Sequence, residues 1–275
     1  MVRPAEAQAI STSADRAIAQ AVRIAVTPLR LGGPWRLFAL NMTHNRLPTN
    51  RLLIIAFCIS PLLLAACQES QQKPASNADQ YPSHWWAPIP KDGAPDWEIL
   101  PQEAGPGEVI LSKRHELGLL SNFAATPFVF RDKHYASLEG FWQMMLYPEG
   151  EDDPRAKFPG LEWKYKREQV AEMTSFEAKS AGTLAEENMK KMGIGWVTFE
   201  GREIEYRPAV AGEHYRLIVA ATLEKVRQNP DVKKVLLATG DLILKPDHHQ
   251  EANPPAAWRY FEILTEIRSA LQKEK

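Results

Sequence analysis

Residues 117–146 read LGLLSNFAATPFVFRDKHYASLEGFWQMML, and the parsing of this stretch decides the fold. The apolar run from Leu117 closes on Ser121-Asn122-Phe123. Phe128 to Tyr135 predicts a strand, a tight turn at Asp132-Lys133 and a short return strand. Ser137-Leu138-Glu139 then opens a helix filled with Phe141, Trp142, Met144, Met145 and Leu146. Glu139 is the one acid in that helix. A carboxylate carried into an apolar wall is costly unless it is paired or used. Its bland role is electrostatic, because an acid in the first turn of a helix is favoured there.

Outward from this stretch, the chain predicts one globular domain with an extension: 275 residues, 44% hydrophobic and 24% charged. The net charge is -1 and no Lys/Arg run stands out, so the basic footprint of sequence-independent nucleic-acid binding is missing. Prolines crowd into 74–106, which predicts an extended wrapping segment that lays Trp85, Trp86 and Trp97 on the domain surface. The two cysteines, Cys58 and Cys67, share one N-terminal apolar stretch. The globular part therefore has no disulfide, no thiolate nucleophile and no cysteine-based zinc site.

That stretch reads as an address. Arg46 and Arg51 precede the apolar run Leu52 to Ala66, which ends Leu64-Ala65-Ala66-Cys67. A basic segment, a short apolar core and small residues before a cut site make a secretory signal. The ending resembles the lipobox of bacterial lipoproteins. The resemblance implies cleavage before Cys67, lipid (palmitate) on Cys67, and a domain anchored to a membrane of the bacterial cell envelope on its periplasmic side. A single membrane span is the rival reading, but the run is shorter than the ~20 residues a span needs and Pro61 interrupts it. Met42 offers a start that gives the signal ordinary length. The expected organisation is thus a start-site extension over 1–41, a signal over 42–67, a polar tether and Pro/Trp-rich arm over 68–107, and a domain over 108–275.

Within the domain, Tyr147 to Gly160 is rich in Pro, Gly, Asp and Glu and predicts an exposed loop. A helix follows over Phe176–Met192, capped by Thr174 or Ser175 and ended by Gly193. A strand pair surrounds Glu200-Gly201. Glu213 to Arg227 is an amphipathic helix stopped by Asn229-Pro230, and Asp231 caps a short helix after it. Thr239-Gly240-Asp241 is a turn, Pro246 to Glu251 a polar loop, and a last helix runs from about Ala256 to Lys273. The class is mainly α with a few short strands (α+β), in a single compact domain.

The chemistry is narrowed by what is missing. The sequence has no glycine-rich phosphate loop, no Gly-x-Ser-x-Gly elbow and no HExxH zinc motif. Asp247-His248-His249-x-Glu251 sits in a proline-bounded loop with no fixed face for a metal, so no metal or organic cofactor is expected. Carboxylates are the better candidates: Glu139, with Asp241 and Asp247 at turn positions. Cleaving a glycosidic bond builds oxocarbenium character, which one carboxylate can stabilise while activating water. Burial beside Trp142 would raise the pKa of Glu139 and a nearby cation would lower it.

These residues resemble the NADAR family. Ser121-Asn122-Phe123, Tyr135-x-Ser137-x-Glu139 and Phe141-Trp142-Gln143 are similar to its first blocks. Glu177-Ala178-Lys179-x-x-Gly182, Leu236 to Asp241 and Glu262-x-x-x-Glu266-Ile267-Arg268 are similar to later ones, over roughly 108–272. The family includes N-glycosidases of phosphoribosylated riboflavin precursors and enzymes that remove ADP-ribose from guanine bases. The resemblance implies a fold of that type and catalysis by Glu139. It puts Asn122 on the ribose or base; the expected site adds Asp247 as a second catalytic residue, with Trp142 stacking on the base, His248 closing the far side beside Asp247, and Asp241 and Trp258 as further substrate contacts. A family lysine about two turns after the glutamate is replaced by Met144-Met145-Leu146. The expected partner is a small ribosyl phosphate or ADP-ribosyl substrate. The alternative is an envelope lipoprotein that binds a nucleotide metabolite without catalysis.

Overall fold

The apolar helix expected after Ser137 forms as α1, Leu138–Met144, and every residue in it is buried. The structure, a computed structural model, describes residues 80–274. The extension, the signal and Cys67 lie outside the described residues, within which no helix is long and apolar enough to cross a membrane. Ser137 caps α1: its Oγ accepts the Gly140 N–H at 2.9 Å and donates to the Met173 carbonyl at 2.8 Å. A Cβ on Gly140 would lie 2.6 Å from that same carbonyl, so the backbone after α2, Arg167–Ala171, packs directly on α1. The long helix α3, Ser175–Met192, covers α1 through Gly182 and ends on Gly193 in the left-handed conformation.

The strands are short and come in three pairs. Strands β2, Phe128–Phe130, and β3, Lys133–Tyr135, form a hairpin whose turn is Arg131-Asp132, one residue earlier than expected. Both turn residues have positive φ, the type I′ geometry of two-residue hairpins. Register follows burial: this pairing sets Phe128 opposite Tyr135 on the face that packs on Phe141. Strands β4, Trp196–Phe199, and β5, Arg202–Glu205, join through Glu200-Gly201 as expected. Strand β1, Glu108–Ile110, pairs in parallel with β6, Ile243–Lys245, a contact that no local pattern announces.

Helices α4, Glu213–Gln228, α5, Pro230–Ala238, and α6, Tyr260–Lys273, complete a mainly helical domain around one hydrophobic core. Asn229, not Asp231, occupies the cap position of α5, because Pro230 takes the first helical place, where a missing N–H is harmless. The last helix begins four residues later than expected. Pro255 leads into a separate 3₁₀ turn, Ala256–Trp258, and Arg259 breaks the helix there.

Two stretches lie deeper than their composition indicates. Trp85 is 1% exposed and belongs to the core, while Trp86 is half-buried. The Trp85 indole N–H donates to Glu116 at 2.7 Å, which removes the cost of burying it. Trp85→Ala is expected to destabilise the protein by about 3–5 kcal/mol in urea titration, the range for a buried aromatic truncated to alanine. The loop Tyr147–Gly160 is likewise not simply exposed, since Arg155 is fully buried and Asp153 nearly so. The carbonyls after α1 have no helical partner, and Arg155 donates to those of Met145, Leu146 and Tyr147.

Candidate active site

One cavity of about 360 Å³ opens beside α1. Glu139, on α1, lines it but is only 6% exposed. Its Oε1 accepts from Gln143 Nε2, one turn along, at 2.7 Å. Burial pushes the Glu139 pKa up. The Gln143 hydrogen bond and the charges of Lys179 and Arg207 oppose that without cancelling it, and Glu186 adds to it. The open question of burial against cation is thus decided for burial.

Gln143 is itself locked. A Cβ on Gly182 of α3 would lie 1.7 Å from Gln143 Oε1 and 2.3 Å from its Cδ. Gly182→Ala must therefore swing Gln143 away from Glu139 or push the two helices apart. We expect it to cost about 1–3 kcal/mol, read as a fall in Tm, and to reduce any activity that depends on Glu139.

Asp247, after β6, forms the opposite electrostatic case. It is 3% exposed. Its Oδ1 accepts from Tyr260 Oη at 3.0 Å and lies 2.9 Å from His248 Nδ1, and its Oδ2 is paired with Lys113. Burial raises its pKa, but the His248 hydrogen bond and the Lys113 charge outweigh that and hold it below the ordinary carboxylate range. Asp247 is therefore an ionised carboxylate with both oxygens engaged.

The structure brings Asn122, Glu139, Trp142, Asp247, His248 and Trp258 to the same cavity. Asp241 is not among them. It lies exposed on the turn after α5, where its backbone N–H donates to Tyr81 Oη at 3.2 Å. The chain from Asp241 to Asp247 passes through β6, and six extended residues span up to about 20 Å. Trp142 forms wall rather than platform: it is 4% exposed, and its indole N–H donates to Tyr206 Oη at 3.1 Å. The open aromatic faces belong to Trp97 and Phe176, 47% and 60% exposed, which line the cavity too.

Composition missed several lining residues. Trp97 arrives on the arm, held where Glu98 bridges His248 and the Ile99 N–H donates to the Asp247 carbonyl at 2.9 Å. Lys179 comes from α3 and Arg207 from the segment after β5. Arg207 stacks between Tyr206 and Trp258, pairs with Glu186 at 2.6 Å and adopts φ +55, a conformation non-glycine residues rarely hold. The Glu177-Ala178-Lys179-x-x-Gly182 block is the one sequence signal for Lys179 and for Gly182, the residue on which Gln143 is seated. Among the described residues, no three His, Cys, Asp or Glu side chains come together as a metal site.

In this arrangement a buried carboxylate that holds its proton more tightly than usual shares a cavity with one that stays ionised. Aromatic faces and the cations Lys179 and Arg207 surround them. No family model and no curated protein matches the chain. Among solved structures it is similar to the NMR structure of the E. coli protein YbiA, at 20% identity over 60% of this chain and 86% of that one, with a TM-score of 0.38.

Proposed function

We propose that this cavity hydrolyses an N-glycosyl bond between a base or amine and a ribosyl phosphate or ADP-ribose. The observation that carries the reading is the opposite displacement of two carboxylates in one aromatic, cation-lined cavity. Titratable groups whose environments push their pKa values apart are how a site divides its acid and base work. As the C1–N bond breaks, its electron pair leaves with the base and positive charge grows on the sugar. Asp247, kept ionised, faces that charge. Glu139 takes the proton of the water that adds to C1 and passes it to the nitrogen of the departing base, so that it ends unprotonated again. Lys179 and Arg207 hold phosphate oxygens, Asn122 orients the ribose, and Trp97, Phe176 and Trp258 offer faces to the base. The resemblance to the NADAR family supports the assignment of Glu139.

The test is to incubate the full chain with ADP-ribosylated guanine and with ribosylaminopyrimidine phosphates and to follow base release by chromatography. Release from either supports the reading. Calorimetric binding without release supports instead the non-catalytic binding protein, a reading favoured by Leu146 and its neighbours in the place of the family lysine. With lipid on Cys67 the domain would work at the cell envelope, and incorporation of labelled palmitate into wild type but not Cys67→Ser tests that.

A further inference from the structure

Lys225 lies in α4 with its side chain inside the protein, 1% exposed. Its ammonium nitrogen makes one hydrogen bond among the described residues, to the Ser121 carbonyl at 2.6 Å. Burial alone pushes its pKa down to about 7, with no charged group contributing. An amine without a counter-charge is a poor core residue, and methionine would fill similar space without the penalty. The function of this side chain lies in what it holds.

Ser121, Asn122 and Phe123 all line the cavity, and each carbonyl accepts a hydrogen bond from a different helix. Ser121 accepts from Lys225 of α4, Asn122 from the Glu139 N–H of α1 at 2.9 Å, and Phe123 from the Ser175 N–H of α3 at 3.1 Å. The α1 and α3 bonds come from backbone amides, which almost any sequence supplies. The α4 bond needs a long side chain with a terminal donor. We propose that Lys225 is a positioning residue: it ties Ser121–Phe123 to α4 and thereby sets the Asn122 amide and, through the Asn122 carbonyl, the Glu139 carboxylate in the cavity.

The kinetic half of this inference rests on the N-glycosidase reading; the structural half does not. The experiment compares the full-length wild type with Lys225→Met and Lys225→Gln. Hydrogen exchange of the Glu139 amide is expected to quicken at least about tenfold in both, because its acceptor segment is released from α4. With a turned-over substrate, kcat is expected to fall about 10- to 100-fold while KM changes little, the signature of misplacement near the reacting atoms. The Tm of Lys225→Met at pH 7 is expected to hold or rise, since the buried amine is gone. A side chain that serves packing alone would lower Tm and leave kcat in place. Wild-type exchange at Glu139 in the variants overturns the proposal, as does failure of both variants to fold, which would make Lys225 a structural requirement. A wild type that releases no base rejects the glycosidase reading, and the exchange measurement then decides the role of Lys225 by itself.

Discussion

Glu139→Gln is expected to lower kcat about a thousandfold, within the range for loss of a general base, while the protein stays folded. The amide oxygen of a glutamine can accept the Gln143 N–H that now sits 2.7 Å from Glu139 Oε1. The substitution also removes the charge whose burial is penalised. What disappears is the ability to take a proton. The pH dependence gives a second reading of the same group. The carboxylate is the working form, and burial raises its pKa above the ordinary 4.5. Wild-type turnover should therefore fall with decreasing pH at a higher pH than an exposed glutamate would impose. Glu139→Gln should lack that acid limb. For stability the sign is the reverse of a paired acid: the native state binds this proton more readily than the unfolded chain does. Glu139 thus destabilises the fold above the unfolded pKa, and the glutamine variant should lose that contribution. Unchanged base release in the variant would reject the catalytic role.

A loss of stability as large as that of Trp85→Ala is expected from Arg155→Met, about 3–5 kcal/mol, the range for breaking a buried ion pair from one side. Arg155 donates to both oxygens of Asp153, to the Thr198 hydroxyl and to the carbonyls of Met145, Leu146 and Tyr147. Methionine keeps the volume but leaves a buried carboxylate and three carbonyls without that donor. Arg167 remains on the Tyr147 and Thr198 carbonyls, so the loop after α1 loosens without detaching entirely. Burial raises the Asp153 pKa, but the Arg155 hydrogen bonds and charge prevail, with backbone N–H donors, and bring it from 3.8 down to about 2. The pair accordingly contributes stability above pH 3.8 and loses it as the pH falls toward 2. By linkage that is worth about 2 kcal/mol. In Arg155→Met the same acid keeps only neutral donors against its burial, the N–H groups of Glu149 and of position 155 and the Thr198 hydroxyl, so stability should instead improve on mild acidification. Urea titrations of both proteins between pH 3 and pH 7 read both signs, and equal slopes would refute the account.

How legible the site was depends on the kind of neighbour each residue has. Glu139 could be found because its context is its own helix: a single acid among Phe141, Trp142 and Met144 is odd whatever packs around it. Asp247 and His248 could be flagged as polar residues in a bounded loop. Their engagement by Lys113 and Tyr260 could not, because Lys113 stands 134 residues away. Asp241 looked equivalent to Asp247 in sequence, and the extended strand between them carried the two apart. The loop holding Arg155 has the composition of a solvated segment, but composition does not register unpaired carbonyls at the end of a preceding helix. Trp85 had the wrapping arm as its local context and the core as its actual one.

Local physics therefore determined the elements from the sequence alone. Capping by Ser137, glycine at Gly193, proline at Pro230 and the apolar filling of α1 act within a few residues, where chain connectivity supplies the partners. Tertiary structure decided the rest. The parallel pairing of β1 with β6, the arrival of Lys179 and Arg207 beside Glu139, and the seating of Gln143 against Gly182 each join parts of the chain that only the common core brings together. The direction in which each carboxylate pKa moves was settled there too, because burial and charge act through space and not along the backbone.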